Sequence, residues 1–357
     1  MLEEYEDCYV LEDNEQWPSS TRDAATYGGA LQISADQLCA IAFTSGSTGV
    51  PKANLKYWRT LRAGAKSNAK LLLGKSNAVN VLATVPPQHM WGMEMSILLP
   101  LFANVAVSHR MPFFPQDIAD SLAALPKPRA LVSSPAHLNA LLKSGVALPD
   151  LSGIFTATAP LSVPLARDLE ACFSTVVTDV LGSTETGVLA ARNPSRDAHW
   201  QASDSFELVK QKTGTIVRAE HLPGDVLIPD LIDPAGKNRF RWIGRHQDMI
   251  NIAGKRGSLA DVNQRLTAMP GVTDGVIFRP ETSERLAAMV VAPELSVADI
   301  LDYLKLHVEP VFLPRPVYLV PELPRQETGK LTRKTILEMF ARLCAARKQA
   351  EATRSDT

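Results

Sequence analysis

The sequence predicts a mixed α/β chain: a large N-terminal domain with layered β-sheets and flanking helices, followed by a smaller α+β domain. Two observations carry this. Short apolar runs alternate with amphipathic stretches from about residue 35 onward, as expected where strands and helices take turns. After Arg245 the pattern restarts in a more compact unit without any repeat of fixed period.

Residues 1 to 34 are polar, contain Gly and Ser, and predict irregular structure. Leu38 to Phe43 predicts a short buried strand whose end opens into a loop, the place where nucleotide sites of α/β proteins usually sit. Val79–Val85, Ala103–Ser108, Arg129–Ser133, Gly153–Ala157 and Thr175–Val180 predict strands. Asp117–Leu125, Ala136–Ser144 and Val163–Phe173 predict the helices between them. In the second unit, Ser258–Met269 and Ser296–His307 predict helices, and Val272–Phe278, Leu286–Ala292 and Val317–Leu319 predict strands. The expected division is a larger domain over 1–245, a smaller one over 246–340 and a tail over 341–357.

Composition narrows the function classes. With 37 basic and 38 acidic residues the net charge is -1, so nothing electrostatic favours a nucleic acid or an anionic membrane as partner. No apolar run approaches the roughly 18 residues of a membrane span. The first residues, Met1 to Asp7, are acidic where a secretory signal is basic, and the expected location is the cytoplasm. Cys8, Cys39, Cys172 and Cys344 lie far apart, without metal-site spacing, and predict reduced structural thiols.

The most specific segment is Thr44-Ser45-Gly46-Ser47-Thr48-Gly49-Val50-Pro51-Lys52. Glycines allow several N–H groups to face one anion, hydroxyls add donors, and Lys52 adds a mobile charge, which is the chemistry of a triphosphate cradle. A polar surface turn would use the same residue types. A Walker loop ends in Gly-Lys-Ser/Thr; Gly49-Val50-Pro51-Lys52 does not, which disfavours a P-loop ATPase or a kinase.

The order of residues resembles the phosphate loop of the adenylate-forming (AMP-binding) superfamily of acyl- and aryl-CoA synthetases and carrier-protein ligases. Three further segments resemble the same family in the same order. Leu181-Gly182-Ser183-Thr184-Glu185-Thr186-Gly187 is the first, with Leu181 where the family usually has Tyr. The resemblance implies that Gly182 and Ser183 line the nucleotide, that Thr184 meets the AMP phosphate and that Glu185 helps hold Mg²⁺. The second is Asp230 with the Gly244-Arg245 pair, Asp230 standing fifteen residues before Arg245. The resemblance makes Asp230 the ribose contact in preference to Asp225, with Gln247 and Asp248 at the hinge that follows. The third is Leu323-Pro324-Arg325-Gln326-Glu327-Thr328-Gly329-Lys330, whose Lys330 is implied to enter the site for adenylation; in isolation it would read as an ordinary turn lysine.

The same resemblance places Ala157-Thr158-Ala159-Pro160 where relatives carry a Gly-Gly-Ala loop against adenine. It lines the acid pocket with His89, Trp91, Gly92, Ser133, Pro135 and Thr158, a packed structural histidine being the competing reading of His89. Val85-Pro86-Pro87-Gln88-His89-Met90-Trp91-Gly92, with Ser134-Pro135-Ala136-His137-Leu138, is most similar to the acid-activating enzymes of aryl polyene and xanthomonadin pigment clusters. What this implies is ATP- and Mg²⁺-dependent activation of an aryl or enoyl acid, such as a hydroxybenzoate, and its transfer to the pantetheine thiol of an acyl carrier protein. Free CoA as acceptor is one alternative, and a non-catalytic nucleotide-binding subunit another. Most relatives carry more than a hundred residues before the phosphate loop, so the resemblance also implies a shortened N-terminal subdomain.

Overall fold

The computed structural model describes residues 32–45, 51–74, 78–252, 254–281, 283, 285–325 and 331–355. Gly46, Ser47, Thr48, Gly49 and Val50 of the phosphate loop, residues 1 to 31, for which irregular structure was expected, and Lys330 lie outside the described residues.

A nine-stranded sheet organises the larger domain. Its spatial order is Asp230–Pro234, Arg239–Arg245, Trp200–Ala202, Gly187–Arg192, Val177–Ser183, Gly153–Thr156, Arg129–Ser133, Val79–Ala83 and Val105–Val107. From Val177–Ser183 to Val105–Val107 neighbouring strands pair in parallel; the four strands on the other side pair antiparallel. Every residue of Arg129–Ser133 and Gly153–Thr156 is buried, because parallel strands in this position are covered on both faces.

The period-two alternation divides the strands between two cores. Val81, Ala83, Ala130, Val132 and Phe155 face one core with Trp91, Met95 and Leu99, while Leu82, Leu131 and Ile154 face the other with Ile118, Leu122, Leu138 and Leu169. Burial of one such leucine contributes about 1.5–3 kcal/mol. The helices of the second face start on recognisable signals. Pro115 opens Pro115–Ala123; Ser134 and Pro135 open Pro135–Ser144, the Ser134 hydroxyl accepting from His137 N–H at 3.4 Å; Ser162 caps Val163–Phe173 by accepting from Leu165 N–H at 3.3 Å.

The expected buried strand at Leu38 to Phe43 requires correction. Among the described residues, Leu38–Ser45 pairs only with Pro51–Tyr57, as a two-stranded antiparallel sheet outside the large one, and Leu38 and Phe43 are exposed. Leu38 and Phe43 thus have one neighbouring strand and no covering layer among the described residues, and the two segments that flank the phosphate loop pair with each other.

Beyond Arg245, a hairpin of Met249–Ile252 and Lys255–Ser258 leads to the helix Leu259–Thr267 and a three-stranded sheet of Asp274–Phe278, Ala287–Val291 and Val317–Leu319. Val297–His307 begins on a capping box of Ser296 and Asp299. This unit has its own core of Ile250, Leu266, Ile277, Val290, Ile300 and Phe312. The helix Arg333–Ser355 runs unbroken past residue 340, where the tail was expected to begin, and packs Ile336, Phe340 and Leu343 on the other face of the same sheet.

Candidate functional site

The Leu181–Gly187 segment forms the connection between two antiparallel strands, Val177–Ser183 and Gly187–Arg192. Hydroxyls close it: Thr186 N–H donates to Ser183 Oγ at 3.2 Å, and the two hydroxyls lie 3.0 Å apart. Gly187 is required twice, since its φ is +71° and a Cβ there would stand 2.7 Å from Glu94 Oε1. Thr184 and Glu185 at the tip are half-buried. Leu181, in the place of the family's Tyr, packs against the apolar cluster around Phe206 and Phe240.

Below this turn lies a buried charge pair that the sequence reading did not single out. Lys56, on the strand that leaves the phosphate loop, is only 2% exposed and donates to the Glu185 carbonyl at 3.2 Å. Burial pushes its ammonium below the usual lysine range, while the Glu94 and Glu185 carboxylates pull it back. Glu94 is also buried and accepts from Val188 N–H at 3.3 Å. Burial pushes its carboxyl up to about 7, against the Val188 amide, Lys56 and Asn68. The available signal was an acidic residue inside the apolar run from Met90 to Leu101. Two strands on, Asp179 and Arg192 form a second buried pair at 2.9 Å, with the guanidinium 4.5 Å from the Trp200 ring centre.

The flanks of the phosphate loop are aligned by register. Thr44 stands opposite Lys52 and Ser45 opposite Pro51. Thr44 Oγ1 donates to the Lys52 carbonyl at 3.5 Å and accepts from Asn54 Nδ2 at 3.3 Å, while Lys52 itself is exposed.

Asp230 and Arg245 are cross-strand partners, with Arg245 Nε 3.9 Å from Asp230 Oδ1. Asp230 is buried and also accepts from Trp242 Nε1 at 2.8 Å. Asp225 is instead ion-paired with Arg218 at 2.9 Å on a separate three-stranded sheet. His246–Asp248 follows as one 3-10 turn, so Gln247 and Asp248 connect the strand Arg239–Arg245 to the hairpin that begins at Met249. Burial and the nearby Asp230 raise the Asp248 carboxyl above its ordinary range, against Arg245 and Arg333, the latter at the start of the last helix. Beyond the hairpin, Arg325 grips Asp274 at 2.6 and 2.7 Å, a few residues before Lys330 in sequence.

Around the expected acid pocket, His89 caps the next helix by accepting from Trp91 N–H at 3.3 Å. Trp91 is buried and donates from Nε1 to the Ser133 carbonyl at 3.3 Å, and the Ser133 and Thr84 hydroxyls meet at 2.8 Å. Gly92 is obligatory, because a Cβ would stand 2.0 Å from the Pro86 carbonyl. Pro135 opens the helix whose His137 imidazole is held below its ordinary pKa by burial. Thr158 has φ +80°, a conformation that costs a β-branched residue about 1–3 kcal/mol, and Thr158 and Ala159 are exposed. The expected residues thus fall into three groups: Glu185, beside the unexpected Lys56 and Glu94; Asp230 with Arg245 and Asp248, beside Trp242; and Trp91 with Ser133. Among the described residues, no hydrogen bond or ion pair joins Glu185 to Asp230 or Arg245. Two open clefts, of about 400 and 230 Å³, hold none of these three. No helix among the described residues is long and apolar enough to cross a membrane.

The family model for the AMP-binding enzyme matches residues 3–218. The chain is 26% identical over 348 residues to a 4-chlorobenzoate–CoA ligase of Arthrobacter sp, covering 84% of this chain and 65% of that protein. It is 20% identical over 325 residues to a 3,4-dihydroxybenzoate–[aryl-carrier protein] ligase of Bacillus anthracis, covering 87% of this chain and 76% of that one. Its fold is similar to that of ATP-bound MatB from Rhodopseudomonas palustris, with a TM-score of 0.75 and 19% identity over 87% of this chain and 69% of the other. The chain spans about two thirds of the length of the first of these relatives. With the family model covering more than half of its residues, this chain belongs to the AMP-binding enzyme family.

Proposed function

We propose that the chain activates a small carboxylic acid, an aryl or enoyl acid such as a hydroxybenzoate, as its acyl-adenylate and transfers the acyl group to a pantetheine thiol. The observation that carries this reading is the Leu181–Gly187 turn: its backbone is fixed from beneath, and its Glu185 carboxylate makes no ion pair among the described residues. A hard dication bound to phosphates needs few protein carboxylates, and one at the tip of a rigid turn fits. Mg²⁺, when bound, would offset charge on the phosphates; Glu185 is the residue that would hold it. Among the described residues no cluster of three or more His, Cys, Asp or Glu offers a competing metal site.

In the first step the substrate carboxylate oxygen bonds to the α-phosphorus of ATP and the bond to pyrophosphate breaks. Thr44, Ser45, Gly46, Ser47, Thr48, Gly49 and Lys52 would cradle the phosphates, and Thr184 and Lys330 would face the α-phosphate. Asp230 would accept from the ribose hydroxyls, with Arg245 beside it. A nucleotide lying between the two groups would supply the connection that direct protein contacts lack. In the second step the thiol sulfur bonds to the acyl carbon, AMP leaves, and the thiol proton passes to solvent. The lid over 246–340 would bring Lys330 in for the first step and withdraw it for the second, about the hinge at Gln247 and Asp248. No protein nucleophile is required.

The carrier protein is preferred as acceptor because one of the relatives is an aryl-carrier protein ligase and because the Val85–Gly92 segment resembles the pigment-cluster enzymes. Thioester formation is to be compared with a phosphopantetheinylated carrier protein and with free CoA. Faster turnover on the carrier protein supports the reading, and faster turnover on CoA replaces it with an acyl- or aryl-CoA synthetase. Lys330→Ala is expected to abolish adenylate formation while sparing thioester formation from supplied acyl-adenylate; equal loss of both steps would remove Lys330 from its assigned place.

A further inference from the structure

Lysine is almost never fully buried unless something compensates for its charge. Lys56 is buried at the junction of the two segments that bear most of the phosphate chemistry: it lies four residues after Lys52 on one strand and donates to the Glu185 carbonyl on another element. Among the described residues its ammonium makes no ion pair within 4.0 Å, and its counter-charges are Glu94 and Glu185, acting at longer range. Glu94 completes the support. Its carboxylate accepts from Val188 N–H, and its Oε1 occupies the space that only a glycine at 187 leaves open. Glu94 itself sits on a π-helical stretch, Met93–Leu98, a local winding frequent at functional sites. Within four consecutive residues, the Glu185 carbonyl and the Val188 N–H are thus held by Lys56 and Glu94, with Glu94 lying close over Gly187. What is fixed is the backbone on either side of the turn tip, and the Glu185 side chain is left to meet a ligand.

We propose that Lys56 is a positioning residue for adenylation: by one hydrogen bond it sets the Glu185 turn relative to the strand that leaves the phosphate loop, so that loop and carboxylate meet the same Mg·ATP. This rests on the reading of Glu185 given above. Removal of a group that orients a metal-binding residue costs about ten- to hundredfold in metal affinity or activity.

The test is Mg²⁺-dependent ATP–pyrophosphate exchange by the full chain, measured first on the wild type with a panel of aryl acids. It is then measured on Lys56→Met, Glu185→Gln and the combination of the two. The double variant Lys56→Met/Glu94→Gln removes both buried charges and leaves neither alone, with folding followed by thermal unfolding. Lys56→Met, or the charge-balanced double variant, is expected to fold, to lose about ten- to hundredfold in rate or to need about ten- to hundredfold more Mg²⁺ for half-saturation, and to keep the wild-type KM for the acid. In the Glu185→Gln background the Lys56 change is expected to be nearly silent, since it acts through that residue. Three results would overturn the proposal: folded variants with the wild-type rate and Mg²⁺ dependence, a loss of equal size in the Glu185→Gln background, or failure of even the double variant to fold. A wild type without exchange on any acid would instead overturn the underlying reading of the site, and this proposal with it.

Discussion

The Glu185 turn and the Asp230 pair each present one carboxylate, and the fold holds the two by opposite means. At Glu185 the backbone is pinned, through Lys56 and Glu94, while the side chain has no ion-pair partner among the described residues. At Asp230 the side chain itself is pinned, buried under Trp242 Nε1 at 2.8 Å with Arg245 at 3.9 Å across the strand pair. A carboxylate left open on a rigid turn suits a ligand whose other contacts come from phosphates and water. A carboxylate already committed to fixed donors suits a neutral partner that needs an acceptor in one orientation.

The comparison can be broken most strongly at Glu94. Its carboxyl titrates near 7 in the folded chain and near 4.5 when unfolded, so the folded state holds more protons between these values. Stability from this group is therefore present below about 4.5 and lost as pH rises through about 7, amounting to about 3 kcal/mol at 1.36 kcal/mol per pKa unit. Glu94→Gln is expected to flatten that part of the melting temperature against pH; an unchanged profile would assign the pH dependence elsewhere.

Glu185→Gln comes next. It is expected to lower Mg²⁺-dependent exchange on the order of a hundredfold while changing the melting temperature little, because among the described residues the side chain makes no ion pair and acts on Lys56 only at longer range. Asp230→Asn should have the converse profile. An increase of about tenfold in the KM for ATP is expected, together with lower thermal stability from the weakened Trp242 and Arg245 contacts. If Asp230→Asn melted like the wild type, the contrast between the two carboxylates would fail. The smallest effect is at Thr158, where Gly would relieve the positive φ at some entropic cost, a net stabilisation of about 1 kcal/mol readable as a higher melting temperature.

The regular interior of this molecule was legible because its strands and helices declare themselves locally. Arg129–Ser133, Val163–Phe173 and Val317–Leu319 fall where apolar runs and caps put them. Leu38 to Phe43 was misjudged because burial depends on how many strands flank a run, which local pattern does not contain. The helix Arg333–Ser355 was not read from the sequence for a related reason: Phe340 and Leu343 find their partners on a sheet far back in sequence. At the site, Asp230 was preferred to Asp225 through the spacing that the family resemblance implies, and the structure pairs Asp230 with Arg245 and Asp225 with Arg218. Lys56 stayed hidden because its partner is a backbone carbonyl 129 residues away, and carbonyls leave no mark in a sequence.

The most direct measurement is isotope exchange between pyrophosphate and ATP, catalysed by the purified chain across aryl, enoyl and fatty acids with and without Mg²⁺. The account predicts exchange that requires both an acid and Mg²⁺ and is strongest with an aryl or enoyl acid. Tight ATP binding without acid-dependent exchange on any member of the panel would contradict it and leave a nucleotide-binding subunit in its place.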